Sequence, residues 1–134
     1  MKTKSQHLLV ELFDCNVETL KDQSLLTALL NQAAVAANVT IVQSVFHQFS
    51  PQGVTGVVII EESHLSIHTW PEYAYASVDF YTCGDGLPEK AFAVIAAGLE
   101  AQRSELLMID RGQSLTDLAM LSRYHKVQGT EEIA

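Results

Sequence analysis

The stretch Glu62-Ser63-His64-Leu65-Ser66-Ile67-His68-Thr69-Trp70-Pro71-Glu72 decides how the chain folds. From Ser63 to Trp70, apolar Leu65 and Ile67 alternate with polar neighbours, the period of a half-buried strand. Pro71 cannot donate to a central ladder, so Trp70 to Ala74 is read as a hairpin turn and Ala74 to Thr82 (AYASVDFYT) as the returning strand. A turn centred near Tyr73 sets Ser63 directly opposite Cys83, which puts hydroxyl and thiol on one face of the sheet, roughly 5 Å apart.

Upstream, Val54 to Glu61 (VTGVVIIE) is a strand apolar on both faces, as a covered central strand would be. The turn Ser50-Pro51-Gln52-Gly53 joins it to Val39–Phe49, which is rich in β-branched and aromatic residues. His7 to Phe13 is a first strand. From Val17 or Ser24 to Ala37, Leu25, Leu26, Leu29, Leu30, Ala33, Ala34 and Ala37 recur at helical spacing, and Asn38 is the stop. Downstream, Pro88 to Arg103 reads as a second amphipathic helix with proline in its first turn, and Glu105 to Asp110 as a sixth strand. Beyond Gly112 the chain turns polar and irregular, apart from a short helix over Leu115 to Leu121, and residues from about Gly129 are expected to be mobile. This order predicts a single α+β domain, a two-layer sandwich with an antiparallel sheet and both helices on one face. The other face is left to water or to a partner.

With 134 residues, 48% hydrophobic and 18% charged, the chain suits one soluble globular domain. No apolar run is long enough to cross a bilayer, and the run after Lys4 is broken at Glu11 without a cleavage motif, so neither a membrane span nor a secretory signal is expected. Two cysteines, Cys15 and Cys83, are too few for a disulfide framework and fit a reducing cytoplasm. A net charge of −8 argues against a nucleic-acid surface and mildly favours a cationic small molecule.

Taken singly, the polar residues have plain explanations. Ser63 reads as a strand-edge hydroxyl, Cys15 as a structural thiol, Cys83 as a small buried hydrophobe, and Trp70, Phe46 and Phe49 as core. His64 and His68 are four apart in a strand, roughly 13 Å at about 3.3 Å per residue, so they would not chelate one ion with Cys83, and no metal is expected. No Gly-x-Ser-x-Gly elbow surrounds Ser63 to support a hydrolase. His68 lies five positions from Ser63, on the opposite face by parity and roughly 16 Å away. Proton transfer needs hydrogen-bond contact. Unless a bulge intervenes, His68 would therefore have to serve a Ser63 from another subunit.

The quoted stretch, with Phe46-His47-x-Phe49, Pro51-x-Gly53-Val54-x-Gly56-Val57-Val58 and Thr82-Cys83-Gly84, closely resembles the short prokaryotic S-adenosylmethionine decarboxylases, from His7 to about Gly112. That resemblance implies a precursor that cuts itself between Glu62 and Ser63 into chains 1–62 and 63–134, with residues from about 113 a tail it does not cover. Ser63 attacks the Glu62 carbonyl to give an ester, and elimination and hydrolysis leave a covalent pyruvoyl group, which forms a Schiff base with the substrate amine and acts as electron sink in place of pyridoxal phosphate. It also implies His68 as the processing base, Cys83 as proton donor, Phe49 stacking on adenine, Leu65 lining the pocket and Glu72 accepting from the ribose hydroxyls. The family's usual serine is Thr55 here, which keeps the assisting hydroxyl but adds a methyl, so slower cleavage is expected. S-adenosylmethionine is the implied substrate, with carbon dioxide and the aminopropyl donor for spermidine as products. The implied assembly is a cytoplasmic homodimer with shared sites, Ser63 and Cys83 from one chain and His68, Phe49, Thr55 and Glu72 from the other. The alternatives are a relative acting on arginine or ornithine, or a non-catalytic domain that binds a nucleoside or pairs with an active homologue.

Overall fold

A computed structural model describes residues 3–61, 63–83 and 85–112 of the chain, and the backbone of 122–128. Among the described residues seven strands form one antiparallel sheet: β1 (Ser5–Phe13), β2 (Ile41–Gln48), β3 (Val54–Ile60), β4 (Ser63–Trp70), β5 (Tyr75–Cys83), β6 (Arg103–Arg111) and β7 (Ser122–Gln128). Their spatial order is β2-β3-β4-β5-β1-β6-β7, so β1 lies inside the sheet between β5 and β6. Two long helices, α2 (Gln23–Ala36) and α3 (Pro88–Gly98), follow a single turn of helix, α1 (Val17–Leu20). The helices cover one face only, and the α+β sandwich expected from the element order is the fold observed.

Each helix begins where its sequence supplies a cap. Asp22 accepts from Leu25 N at 3.1 Å to open α2, and Pro88 fills the first turn of α3. Leu26, Leu30, Ala33 and Ala34 are the buried stripe of α2, as their spacing predicts. Asn38 stops the chain there with a left-handed φ of 63°. Helix α3 ends at Gly98, short of the expected Arg103, because Glu100 takes a left-handed turn (φ 55°) and Gln102 N already bonds Phe13 O, starting β6. Gly98 also lets α2 approach closely, since a Cβ there would stand 2.3 Å from Leu29 Cδ1.

On the covered face Leu8, Val10, Leu12, Val58, Leu65, Ile67, Ala76, Val78 and Phe80 pack against Leu26, Leu30, Phe92 and Ile95 as one core. Two expectations need correction. The Leu115–Leu121 helix and the stretch from Gly129 lie outside the described residues, but within the supposedly irregular tail Ser122–Gln128 pairs with β6 as a seventh strand. That strand is recruited by the backbone groups on the β6 edge, a signal that hydrophobic periodicity does not carry. Second, the hairpin register differs by one residue. Pro71–Tyr73 forms a 3-10 turn and Ala74 closes it at φ 51°, so Trp70 pairs with Tyr75 and His64 with Tyr81. Ser63 is therefore not opposite Cys83.

Candidate active site

The faces of the sheet follow from this register. Ser63 pairs with Ile60, a core residue 2% exposed, and one further step of the β4–β5 ladder sets it beside buried Thr82. Its side chain thus points to the covered face, and the Ser63 Oγ is buried with no hydrogen-bond partner among the described residues. Leaving a hydroxyl so costs about 1–3 kcal/mol. A hydroxyl kept at that cost is a candidate for chemistry rather than for support. Cys83 lies on the opposite, open face, half-buried, with Ser5 of β1 across from it. Glu62 lies outside the described residues.

His68 lies on the open face as well. Parity on β4 separates it from Ser63 in face, and the strand rise separates them by roughly 16 Å, as the spacing predicted. Register brings Thr55 of β3 directly across from it, and Thr55 Oγ1 stands 3.0 Å from His68 Nδ1. The loop after β2 closes through Phe49 N to Gly53 O at 2.8 Å, and the 3-10 turn carries Glu72 to the same end of the sheet. These pieces enclose a cleft of about 350 Å³ lined by Phe49, Gln52, Thr55, His68, Trp70 and Glu72. That volume is in the range of small-molecule sites. Its walls are an exposed phenyl, an indole 40% exposed, an imidazole and a carboxylate. Such a set can hold a flat ring and accept from hydroxyls.

Of the residues expected from the sequence, Phe49, Thr55, His68 and Glu72 are brought together in one chain, while Ser63 and Cys83 stand at the far end of β4 and β5. Leu65 lies outside the cleft, on the covered face of β4 that Ser63 also occupies. It is fully buried between the sheet and α3, beside Leu8, Val78 and Phe92, because its odd position on β4 faces the helices. Trp70, expected in the core, lines the cleft instead, since it shares the even, open face of β4 with His68. Thr69 was not singled out, yet its Oγ1 accepts from Val54 N and donates to Leu20 O, both at 2.9 Å, tying the cleft floor to α1. Its buried position in the alternation was the available signal.

The rest of the open face is polar at its centre. Asp79 accepts from His7, Ser66 and His64; burial opposes its charge, but those three hydrogen bonds outweigh burial and hold the carboxyl well below the usual carboxylate range. Cys15, in contrast, is pushed up to about 12 by burial, with Asp14 adding to the effect, and stays a thiol.

The fold and this divided set of polar groups define a two-layer α+β protein with its functional residues on and around one sheet. A sequence profile of the S-adenosylmethionine decarboxylase family matches residues 6–112. The S-adenosylmethionine decarboxylase proenzyme of Thermotoga petrophila is 46% identical over 114 residues, spanning 84% of this chain and 88% of that one. The proenzyme of Bacillus cytotoxicus is 46% identical over 113 residues, spanning 84% and 87%. A crystal structure of the adenosylmethionine decarboxylase of Aquifex aeolicus superposes with a TM-score of 0.79 at 35% identity, over 89% of this chain and 99% of that one. The chain belongs to the S-adenosylmethionine decarboxylase family. A Trypanosoma brucei AdoMetDC monomer, 16% identical with a TM-score of 0.53, shares the fold over 79% of this chain and 45% of its own length.

Proposed function

We propose that the chain is a self-cleaving S-adenosylmethionine decarboxylase that assembles each active site from two copies of itself. The observation that carries this reading is the separation just described: Thr55, His68, Phe49 and Glu72 in one cleft, Ser63 and Cys83 roughly 16 Å along the same strands. Neither half holds a complete set. A second copy, with its open face against this one, would bring the missing half to each end, and the apolar side chains Leu9, Val57, Ile59, Leu107 and Ile109 on that face suit such a contact. The family and relatives give no support to the arginine, ornithine or non-catalytic alternatives.

In the precursor, the Ser63 Oγ attacks the Glu62 carbonyl, the peptide C–N bond breaks, and the acyl group passes to oxygen. The buried Ser63 Oγ without a partner fits that role, and it must turn from the covered to the open face to meet a His68 imidazole. As the first residue of β4, next to the turn, it has the fewest ladder bonds to break. His68 of the second copy would take the hydroxyl proton, with Thr55 Oγ1 holding the ring through Nδ1. Elimination then takes the Ser63 Cα proton and breaks the Cβ–O bond, releasing chain 1–62 as its carboxylate; water hydrolyses the resulting imine, ammonia leaves, and the pyruvoyl group so formed supplies an electron sink for decarboxylation. Within the substrate pocket Phe49 stacks on the adenine, Glu72 accepts from the ribose hydroxyls, and the Cys83 thiol returns a proton to carbon. No helix among the described residues is long and apolar enough to cross a membrane, and the reading places the enzyme in the cytoplasm.

Co-refolding Ser63→Ala with His68→Ala protomers tests the shared site. Fragments of 62 and 72 residues, the second blocked at its amino terminus, are expected from the mixture and from neither variant alone. The Ser63→Ala chain stays intact in any case, so a mixture that yields no fragments would overturn the arrangement.

A further inference from the structure

Outside the cleft, three side chains from three adjacent strands converge on the open face. His7 of β1 and His64 of β4 both direct Nε2 at a single oxygen, Oδ2 of Asp79 on β5, at 2.7 and 3.1 Å. The three donor atoms lie within 4.8 Å of one another. The second Asp79 oxygen, Oδ1, accepts from Ser66 Oγ, which fixes the rotation of the carboxylate. In the single chain the side chains of His7, Asp79 and His64 are 16%, 22% and 38% exposed, shielded yet reachable from the open face that a second copy would cover.

We propose that His7, His64 and Asp79 form a binding site for a divalent transition-metal ion of the Zn2+ or Co2+ type. Two imidazoles and one carboxylate are a donor set such ions favour, and three ligands on one side leave the outward position for water or another ligand. Bonds of about 2.0–2.1 Å in tetrahedral geometry set donor atoms roughly 3.3 Å apart. The two contacts to Asp79 need to open by a few tenths of an ångström, while the donor atoms, spread within 4.8 Å of one another, draw together around the ion. The ligands sit on β4, β5 and β1, neighbours in the middle of the sheet, so their backbones are fixed before any ion arrives. Sequence spacing could not reveal the set, since His7 and Asp79 are 72 positions apart.

Arg111 sets the condition under which the ion binds. Its Nη1 is 3.0 Å from His7 Nδ1, and a guanidinium only donates, so Nδ1 accepts and the ring proton sits on Nε2, directed at Asp79. An ion on Nε2 moves that proton to Nδ1, where it would face an N–H of Arg111. Arg111 must then withdraw, and its stacking on Tyr81, 4.6 Å from the ring centroid, gives it a place to remain. Arg111 thus competes with the metal rather than supporting it.

The test uses the full chain, stripped with chelator and supplied with Co2+ or Zn2+ either as the native protein or during refolding. Metal content after gel filtration and the visible absorption of Co2+ are read, with far-UV circular dichroism to confirm the fold. One Co2+ per chain is expected. His7→Ala and Asp79→Asn should weaken binding at least tenfold, and Arg111→Ala, which removes no ligand, should tighten it several-fold. Absence of stoichiometric metal in both preparations of the folded wild type, or equal binding by wild type and Asp79→Asn, overturns the site. Neither readout depends on decarboxylase activity.

Discussion

At the scale of single residues, the Thr55 hydroxyl is the group whose removal is most informative. It is the described partner of His68 Nδ1, so its loss frees the imidazole to rotate without altering the core. Thr55→Ala is expected to slow self-cleavage by about tenfold or more, the equivalent of one hydrogen bond to a reacting group, while Thr55→Ser restores or exceeds the wild-type rate because it keeps the hydroxyl and sheds the methyl. Gel densitometry of the two fragments over time checks both; equal rates for alanine and threonine would remove Thr55 from the processing step. Asp79 makes a second residue-level prediction. Its folded pKa is depressed below the unfolded value of about 3.9, so its stabilisation is present above that value and is lost as pH falls through it toward the folded pKa. Asp79→Asn should therefore lower the melting temperature at pH 7 and flatten its decline below about pH 4, as calorimetry across that range would show.

At the scale of elements, the register of the β4–β5 hairpin governs everything else. One residue more or less in the turn exchanges the two faces of one strand relative to the other. Pro71, the 3-10 turn and left-handed Ala74 hold it. The β2–β3 pair shows how tightly neighbouring elements fit: Phe46 lies across Gly56, and a Cβ on Gly56 would stand 2.1 Å from its ring. Gly56→Ala is expected to cost about 1–3 kcal/mol by overpacking, read as a lower urea midpoint at unchanged slope. Since Thr55 is the adjacent residue, the same substitution should also slow cleavage; an unchanged midpoint would show that Phe46 moves aside freely.

At the scale of the whole molecule, the sheet presents a broad open face with an apolar border around a polar centre. Leu107 lies on that border, opposite Leu9, and away from the residues of the cleft. If each site is shared as proposed, light scattering should find two chains in the wild type and one in a folded Leu107→Asp protein, and that protein should stay uncut, because a lone chain would lack half of each site. Fragments appearing from a monomeric Leu107→Asp protein would show that one chain suffices.

The alternation in Ser63–Trp70, the helical spacing in Gln23–Ala36 and the turn residues between strands determined the α+β class and most element positions, because those signals are local and period-based. They also separated Ser63 from His68, since parity and rise need only the strand itself. Tertiary structure alone decided the rest. The register of β4 on β5 depends on how Pro71 to Ala74 turn, and a single residue there moved Ser63 away from Cys83. Pairing of β7 rests on the backbone groups of the β6 edge, which carry no hydrophobic period. The burial of Leu65, the exposure of Trp70 in the cleft, and the meeting of His7, His64 and Asp79 all depend on which strands become neighbours, and strand order is a property of the closed sheet that no single stretch of the chain contains.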